Sequence, residues 1–364
     1  MNRIESNALV AALACAACSG AYAQTAPSIY GLLDMSAGRF QDPGNVRLLR
    51  AESGRMSSSF LGIRGSDDLG GGLRARFGLE TYIRVDAGAA GRSATDPMWG
   101  RTAYVGLQGA FGTTLLGRLP TPLWTATLAF NPFADSTGFS PSIRQYFGGA
   151  VLGDSRWDNS VLYTSPDPEN GRGLSYSLQF NGAENEIGAT GMNVGANLRY
   201  VTGPFSASLA WQSVRNGATP LPVGFDHQTT YQAGLAYEFA RVKLYGQAGS
   251  VKTAATTGVK TTLFQLGAVA PIGLGFLIGS YGQAKTESTG IDATRRTLSF
   301  GYDYYLSKST DIYAVLMNER ITNLSSGKTL AGGLRVRFVR APGAHHGALE
   351  CRRWCSRRHS CRRG

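Results

Sequence analysis

The chain has 364 residues, 36 Lys+Arg against 24 Asp+Glu, a formal net charge of +12 and 43% hydrophobic residues. It holds no apolar run of about 18 residues, which excludes a helical membrane protein. Its five cysteines all lie near the two ends, at Cys15, Cys18, Cys351, Cys355 and Cys361, so the body is no disulfide scaffold.

Residues 1–23 read as a secretory signal peptide. Arg3 sits in a short polar start, residues 8–17 form a small apolar run, and Ala21-Tyr22-Ala23 supplies a cleavage site before Gln24. With this segment and the tail 339–364 set apart, residues 24–338 hold 28 basic and 22 acidic residues. The tail alone, with seven Arg and one Glu, carries as much net charge as that body. The high overall charge is therefore no argument for nucleic-acid binding.

Along the body the decisive pattern is alternation. A strand crossing lipid around a wet lumen must place apolar side chains outward and polar ones inward, for about 10 residues. Leu73, Ala75, Phe77 and Leu79 alternate with Arg74, Arg76, Gly78 and Glu80. Tyr176, Leu178 and Phe180 alternate with Ser175, Ser177, Gln179 and Asn181. Val194–Tyr200, Phe205–Gln212, Tyr231–Phe239 and Thr297–Tyr304 repeat the scheme. Sixteen such segments are predicted, near 28–37, 53–65, 72–85, 99–109, 112–118, 156–165, 173–182 and 192–201. The remaining eight are near 204–215, 228–239, 241–251, 260–270, 273–284, 294–305, 310–320 and 329–338. Short spacers such as Thr202-Gly203 alternate with longer ones at 86–98, 182–192, 214–228, 251–260 and 284–294. Short turns on one rim and loops on the other imply an all-β fold, a transmembrane antiparallel up-and-down β-barrel of sixteen strands.

A soluble sandwich also alternates. Against it, aromatic residues cluster near strand ends, as a membrane interface requires. Fixed charges at Arg74, Arg76, Glu80, Arg199, Arg241 and Lys243 also fall on polar faces expected to need water.

One connection is far longer than the rest. Residues 119–155 contain Pro120, Pro122, Pro132 and Pro141, and also Leu123, Trp124, Leu128, Phe130, Phe133, Phe139, Tyr146 and Phe147. Loops of this length are functional or disordered, and this one is too apolar for disorder. In a wide barrel it should fold into the lumen and form the constriction, where facing charges set selectivity. The loop offers Asp135, Arg144 and Asp154; the flanking strands offer Arg74, Arg76, Glu80, Arg118 and Arg156. A basic excess there would favour anions, while any one arginine could equally be a brace for the loop.

These residues resemble a general porin of the Gram-negative outer membrane. The resemblance rests on Ser28-Ile-Tyr30-Gly31-Leu-Leu-Asp34, on Ser59-Phe-Leu-Gly62-Ile-Arg64-Gly65 with Asp67-Asp68-Leu69-Gly70, and on Arg101-Thr-Ala103-Tyr104-Val105-Gly106. Leu116-Gly117-Arg118, Asn159-Ser160-Val161 with Tyr163, and Tyr305-Leu306-Ser307-Lys308 add to it, so that it covers residues 28–338. It implies a homotrimer with the third loop as an eyelet, and eyelet arginines at Arg118 and Arg156. Phe60 stands where a further arginine is common, so only a weak anion preference is carried over. Small ions and hydrophilic solutes, outer-membrane lipid or lipopolysaccharide, and the barrel-assembly machinery are the implied partners. Nucleic acid and cofactors are not.

Residues 330–338 resemble the family's closing strand, with Leu334, Val336 and Phe338 as its assembly signal. The further 26 residues read as a non-native extension. Their Cys351, Cys355, His359 and Cys361 fit no standard zinc spacing. An enzyme within the barrel would need an activating base, and the body holds one histidine, His227. A solute-specific channel, or a barrel with a structural or adhesive role, is the alternative reading.

Overall fold

The computed structural model describes residues 25–182, 191–215 and 221–340. The expected signal peptide and all of the tail beyond Arg340 lie outside the described residues.

Sixteen antiparallel staves close into one barrel. β1 is Thr25–Phe40, and β2 runs in two pieces, Leu48–Ser53 and Phe60–Gly70. β3 is Leu73–Arg84, β4 Thr102–Gly109, β5 Gly112–Pro120, β6 Arg156–Thr164, β7 Gly173–Asn181 and β8 Asn193–Thr202. β9 is Phe205–Val214, β10 His227–Phe239, β11 Val242–Ala254 and β12 Val259–Ile272. β13 is Gly275–Ser288, β14 Ile291–Tyr305, β15 Thr310–Ile321 and β16 Gly327–Arg340. Each pairs with its neighbours in sequence, and β1 pairs with β16 from Ile29↔Arg340 to Arg39↔Leu330, so no edge remains. Hydrocarbon offers no partner to an open edge, which is why closure is obligatory.

The alternation survives as geometry. On β7 Leu174, Tyr176, Leu178 and Phe180 are exposed on the outer face, while Gln179 is 0% exposed inside. Leu298 and Phe300 on β14 face out and Thr297 and Ser299 face in. A soluble protein would bury the first set; here the glutamines, threonines and serines form the interior.

The boundaries depart from the sequence reading in four places. The second strand is interrupted at residues 54–59, where the Asp34 carboxylate accepts bonds from the backbone N–H groups of Met56 (2.8 Å) and Ser57 (3.0 Å). The long connections expected at 251–260 and 284–294 shrink to residues 255–258 and to Thr289-Gly290, because polar ladder residues extend β11 to β14 past the apolar band. Arg241 falls in the two-residue turn Ala240-Arg241 rather than on a strand face; Ala240 takes φ +54° to close it. β16 continues two residues past Phe338, where Val339 pairs with Tyr30 and Arg340 with Ile29.

Inverted packing makes a testable asymmetry. Leu298→Arg on the outer face is expected to destabilise the barrel by about 2–4 kcal/mol if it lies near the bilayer midplane. Reversible denaturant unfolding in lipid vesicles measures it, and Ser299→Thr on the lumen face of the same strand should cost far less.

Candidate channel constriction

The third loop carries two short helices, α1 (Pro122–Ala129) and α2 (Pro141–Gln145), the second running into a single wide turn at 146–150. Each starts the same way. A hydroxyl caps the backbone, Thr121 for Trp124 N–H and Ser140 for Ile143 N–H, and a proline with preset φ follows. Thr121-Pro122 and Ser140-Pro141 are thus the sequence signals for helices that apolar content alone did not reveal.

The loop lies flat on the inner wall. α1 packs against β8 and β9, α2 against β12 to β14. Wall glutamines satisfy its backbone. Gln247 donates to the carbonyls of Thr127 (3.0 Å) and Phe130 (2.7 Å), and Gln228 donates to Ala150 O (3.0 Å) and accepts from Leu152 N–H (2.8 Å). Gln265 accepts from Ser142 N–H at 2.9 Å. At the far end the Arg55 carbonyl, in the β2 break, receives Ser136 Oγ (2.7 Å) and Gly138 N–H (3.0 Å).

Glycines in the wall make room for the loop's bulk. A methyl group on Gly249 would stand 2.0 Å from Tyr146 Oη, one on Gly234 2.7 Å from the Phe130 ring, and one on Gly267 2.5 Å from Pro132. One on Gly282 would meet Pro141 at 2.7 Å. The loop's large side chains (Leu123, Phe130, Phe139, Tyr146) are almost wholly buried as a result. The polar faces of the alternating strands carry glycine for this packing reason.

Charges divide into two groups. On the α2 side Arg144 is a brace. It bonds Glu319 by Nη2 (2.7 Å) and Nε (3.2 Å) and Asp42 by Nη2 (2.8 Å), and its carbonyl accepts from Arg295 (2.9 Å). Burial alone would lower the Arg144 pKa; Glu319 and Asp42 overcome that and raise it.

On the opposite side a cluster gathers around β3 to β6. Arg118 donates to Asp158 (2.6 Å), Asp154 (3.3 Å) and the Gly100 carbonyl (2.7 Å). Arg92, from the second loop, clasps Asp154 with both Nη atoms (2.9 and 2.8 Å) and also holds Asp96. Arg101 pairs with Glu80, which also accepts from the Tyr30 hydroxyl, and its guanidinium lies 3.8 Å from the centre of the Phe60 ring. Arg156 sits between the Tyr82 and Trp124 rings at 5.3 and 5.5 Å and, among the described residues, bonds only Ser155 Oγ (3.0 Å). Among the described residues neither Arg156 nor Arg84 has a carboxylate partner.

Of the residues singled out from sequence, the structure thus brings together Glu80, Arg118, Asp154 and Arg156. Asp135 sits elsewhere on the loop, accepting from Ser57 Oγ at 2.9 Å. Arg74 is exposed and Arg76 bonds Gln108 at 3.4 Å. They lie six and four residues before Glu80, about 20 and 13 Å along the strand toward the short turns. Sequence reasoning missed Arg84, Arg92, Arg101 and Asp158. Arg84 continues the inward parity of Glu80, so it was legible; Arg92 reaches the site from a loop, so it was not.

This geometry sets two expectations. Gly249→Ala should push Tyr146 and the loop off the wall, lowering single-channel conductance and costing about 1–3 kcal/mol. Gly246→Ala, which would face outward with only Leu266 at 3.4 Å, should change neither. The second concerns pH. Burial would raise the Asp154 carboxyl, but Arg92 hydrogen bonds and charge hold it well below the usual carboxylate range. A depressed carboxylate contributes stability that is complete above its unfolded value of about 3.9 and is lost as pH falls through its folded value. Recordings from pH 7 down to 3 should show steady conductance to about pH 4 and then increasing noise. An acid step of the same size in Asp154→Asn would assign it to another group.

Residues 8–324 match the family profile described as Gram-negative porin. The chain is 30% identical over 355 residues to outer membrane porin protein 32 of Delftia acidovorans, covering 94% of this chain and 96% of that one. An outer membrane porin protein of Bordetella pertussis is 29% identical over 385 residues, 90% and 98% of the two chains. Among solved structures, the anion-selective porin from Comamonas acidovorans superposes with a TM-score of 0.74 at 25% identity, over 86% of this chain and 99% of that one. OmpT of Vibrio cholerae, at 13% identity and a TM-score of 0.67 over 86% and 97% of the chains, shares the fold. A closed sixteen-stranded barrel with its apolar face outward, a folded-in third loop and these relatives lead to one conclusion: the chain belongs to the Gram-negative porins, channels of the outer membrane.

Proposed function

We propose that this channel passes small hydrophilic solutes with a weak preference for anions. Its eyelet would lie between the third loop and the arginine cluster of β3 to β6. The observation that carries the reading is the surplus of cation over partner. Glu80, Asp96, Asp154 and Asp158 are held by Arg92, Arg101 and Arg118, and this leaves Arg84 and Arg156 without a carboxylate. The cluster thus holds five arginines against four carboxylates, and charge in a narrow, low-dielectric gap is weakly screened, so a net surplus of one cation suffices for a weak bias on ion traffic. The relative named an anion-selective porin supports the same sign. Arg144 and Asp135 act as braces in this reading, and Arg74 and Arg76 line the wider vestibule beneath.

The reading extends to assembly as a homotrimer, and to Leu334, Val336 and Phe338 as the signal for the barrel-assembly machinery. Leu334 and Val336 are exposed on the outer face of the closing strand, and the Phe338 ring covers Gly31 of β1.

The test is the reversal potential of single channels under a salt gradient. Wild type should show the anionic sign. Arg84→Gln and Arg156→Gln should each move it toward zero, and Glu80→Gln should move it further to the anionic side. A cationic wild type, or shifts in the opposite order, would leave the channel but remove these arginines from the account.

A further inference from the structure

Asp34 is an acidic residue in the middle of β1 that is 0% exposed. A buried carboxylate is costly unless donors surround it. Its Oδ2 accepts the backbone N–H groups of both Met56 (2.8 Å) and Ser57 (3.0 Å) in the β2 break, and its Oδ1 accepts the Tyr313 hydroxyl of β15 (2.7 Å). The backbone of the same residue holds the two ends of the break. Its carbonyl accepts from Gly54 N–H (3.0 Å) and its N–H donates to Ser59 Oγ (2.9 Å). Between Leu32↔Phe60 and Met35↔Ser53, β1 spends residues 33–34 where β2 spends 54–59. Closing the wall does not require that surplus, and extra residues in one strand commonly re-aim groups toward a working site.

The surplus is a seat for the tip of the third loop. The Arg55 carbonyl receives Ser136 Oγ and Gly138 N–H, and the Gly54 carbonyl receives Thr137 Oγ1 at 3.2 Å. Ser57 Oγ donates to Asp135 (2.9 Å) and accepts from Arg335 Nη1 (3.0 Å), an arginine that Asp303 and Asp311 hold. Met56 joins Phe133 and Phe139 in one buried apolar cluster with Tyr313. The fit is close: a methyl group on Gly138 would stand 2.8 Å from the Arg55 carbonyl oxygen. All these contacts to the tip come from residues 54–57, the stretch that Asp34 holds at Gly54, Met56 and Ser57.

We propose that Asp34 is a positioning residue for the constriction. By holding the N–H groups of Met56 and Ser57 it aims the Arg55 carbonyl and the Ser57 hydroxyl at the loop tip, and so sets how far residues 133–139 stand into the pore. It touches no solute and acts only through the break. What the break needs from it is an acceptor, since one oxygen takes both N–H groups. An asparagine side chain there would keep that oxygen and turn its amide toward the Tyr313 hydroxyl, which can accept as well as donate. Alanine would leave two buried N–H groups without a partner. The proposal rests on the third loop lining the constriction and is independent of the sign of ion preference.

Single-channel recording and sugar uptake by liposomes, both on folded full-length protein, test it. Asp34→Ala should raise the time spent in a second conductance level about tenfold and admit larger sugars. Asp34→Asn should match wild type in both. Ser136→Ala, which keeps Asp34 but removes the bond to Arg55, should copy Asp34→Ala, and the pair together should do no more than either alone. That variant keeps the test decisive if Asp34→Ala does not fold: a wild-type current from Ser136→Ala would overturn the proposal. So would a folded Asp34→Ala barrel with wild-type current and sugar cutoff but a lower unfolding midpoint, the mark of a purely structural residue. Asp34→Asn as disturbed as Asp34→Ala would overturn it too, because the negative charge rather than the acceptor would then matter. Reversal potential, recorded alongside, reports on the arginine cluster separately, and its sign can fail without changing the current levels read here.

Discussion

Everything in this molecule depends on one constraint: a backbone crossing hydrocarbon must find all its hydrogen-bond partners within the protein. The β1–β16 ladder from Ile29↔Arg340 to Arg39↔Leu330 meets it by removing the sheet's edges. Closure at sixteen staves then produces an interior too wide for facing side chains to fill. The apolar residues must therefore face outward, and the interior must be wet or occupied by something else. The third loop is that occupant, and the channel is the space it leaves.

A polar wall and an apolar loop are an awkward match, and the way they are reconciled explains the inner surface. Gln228, Gln247 and Gln265 are long enough to reach loop backbone groups and can donate or accept as needed. Between them Gly234, Gly249, Gly267 and Gly282 leave cavities for Phe130, Tyr146, Pro132 and Pro141. The wall thus satisfies the loop's polar atoms and its apolar bulk at separate positions. Arg144 fastens the α2 end to Glu319 and Asp42, and Asp154 fastens the other end to Arg92 and Arg118. Two buried or half-buried ionic clamps at either end make the loop a fixed partition; losing one partner of such a clamp would leave the other charge uncompensated.

The sequence disclosed the barrel because period-two alternation is a local signal, readable within eight residues such as Leu73 to Glu80. All sixteen segments overlap an observed stave, although the second, expected at 53–65, runs across the break at 54–59. Strand ends were harder: polar residues such as Lys285 and Glu287 look like loop, yet they continue the ladder beyond the membrane. The break in β2 was invisible because it depends on Asp34, some twenty residues away, accepting from Met56 and Ser57. The site was half legible for a similar reason. Arg118, Asp154 and Arg156 flank the loop in sequence and meet in space, and Asp158, two residues past Arg156 on the same strand, could have been read with them, whereas Arg92 joins them only through folding. Arg74 and Arg76 have the correct inward parity, but parity gives a side chain's direction and says nothing of its height along the pore.

Height is what separates the roles of the charges. Arg84, Arg101, Arg118 and Arg156 share the level of the third loop, where the gap is narrowest and screening weakest. Arg296 and Arg320 stand near the loop rim as well, but their parity is reversed, and the same residue type there faces outward from the barrel instead of into the lumen. One step along a strand, as from Arg295 to Arg296, therefore moves an arginine from the lumen face to the outer face, without any change in its chemistry. A barrel can use this to change its inner and outer charge separately. The two sets share neither a strand nor a side chain, and a substitution at one position leaves the opposite face intact.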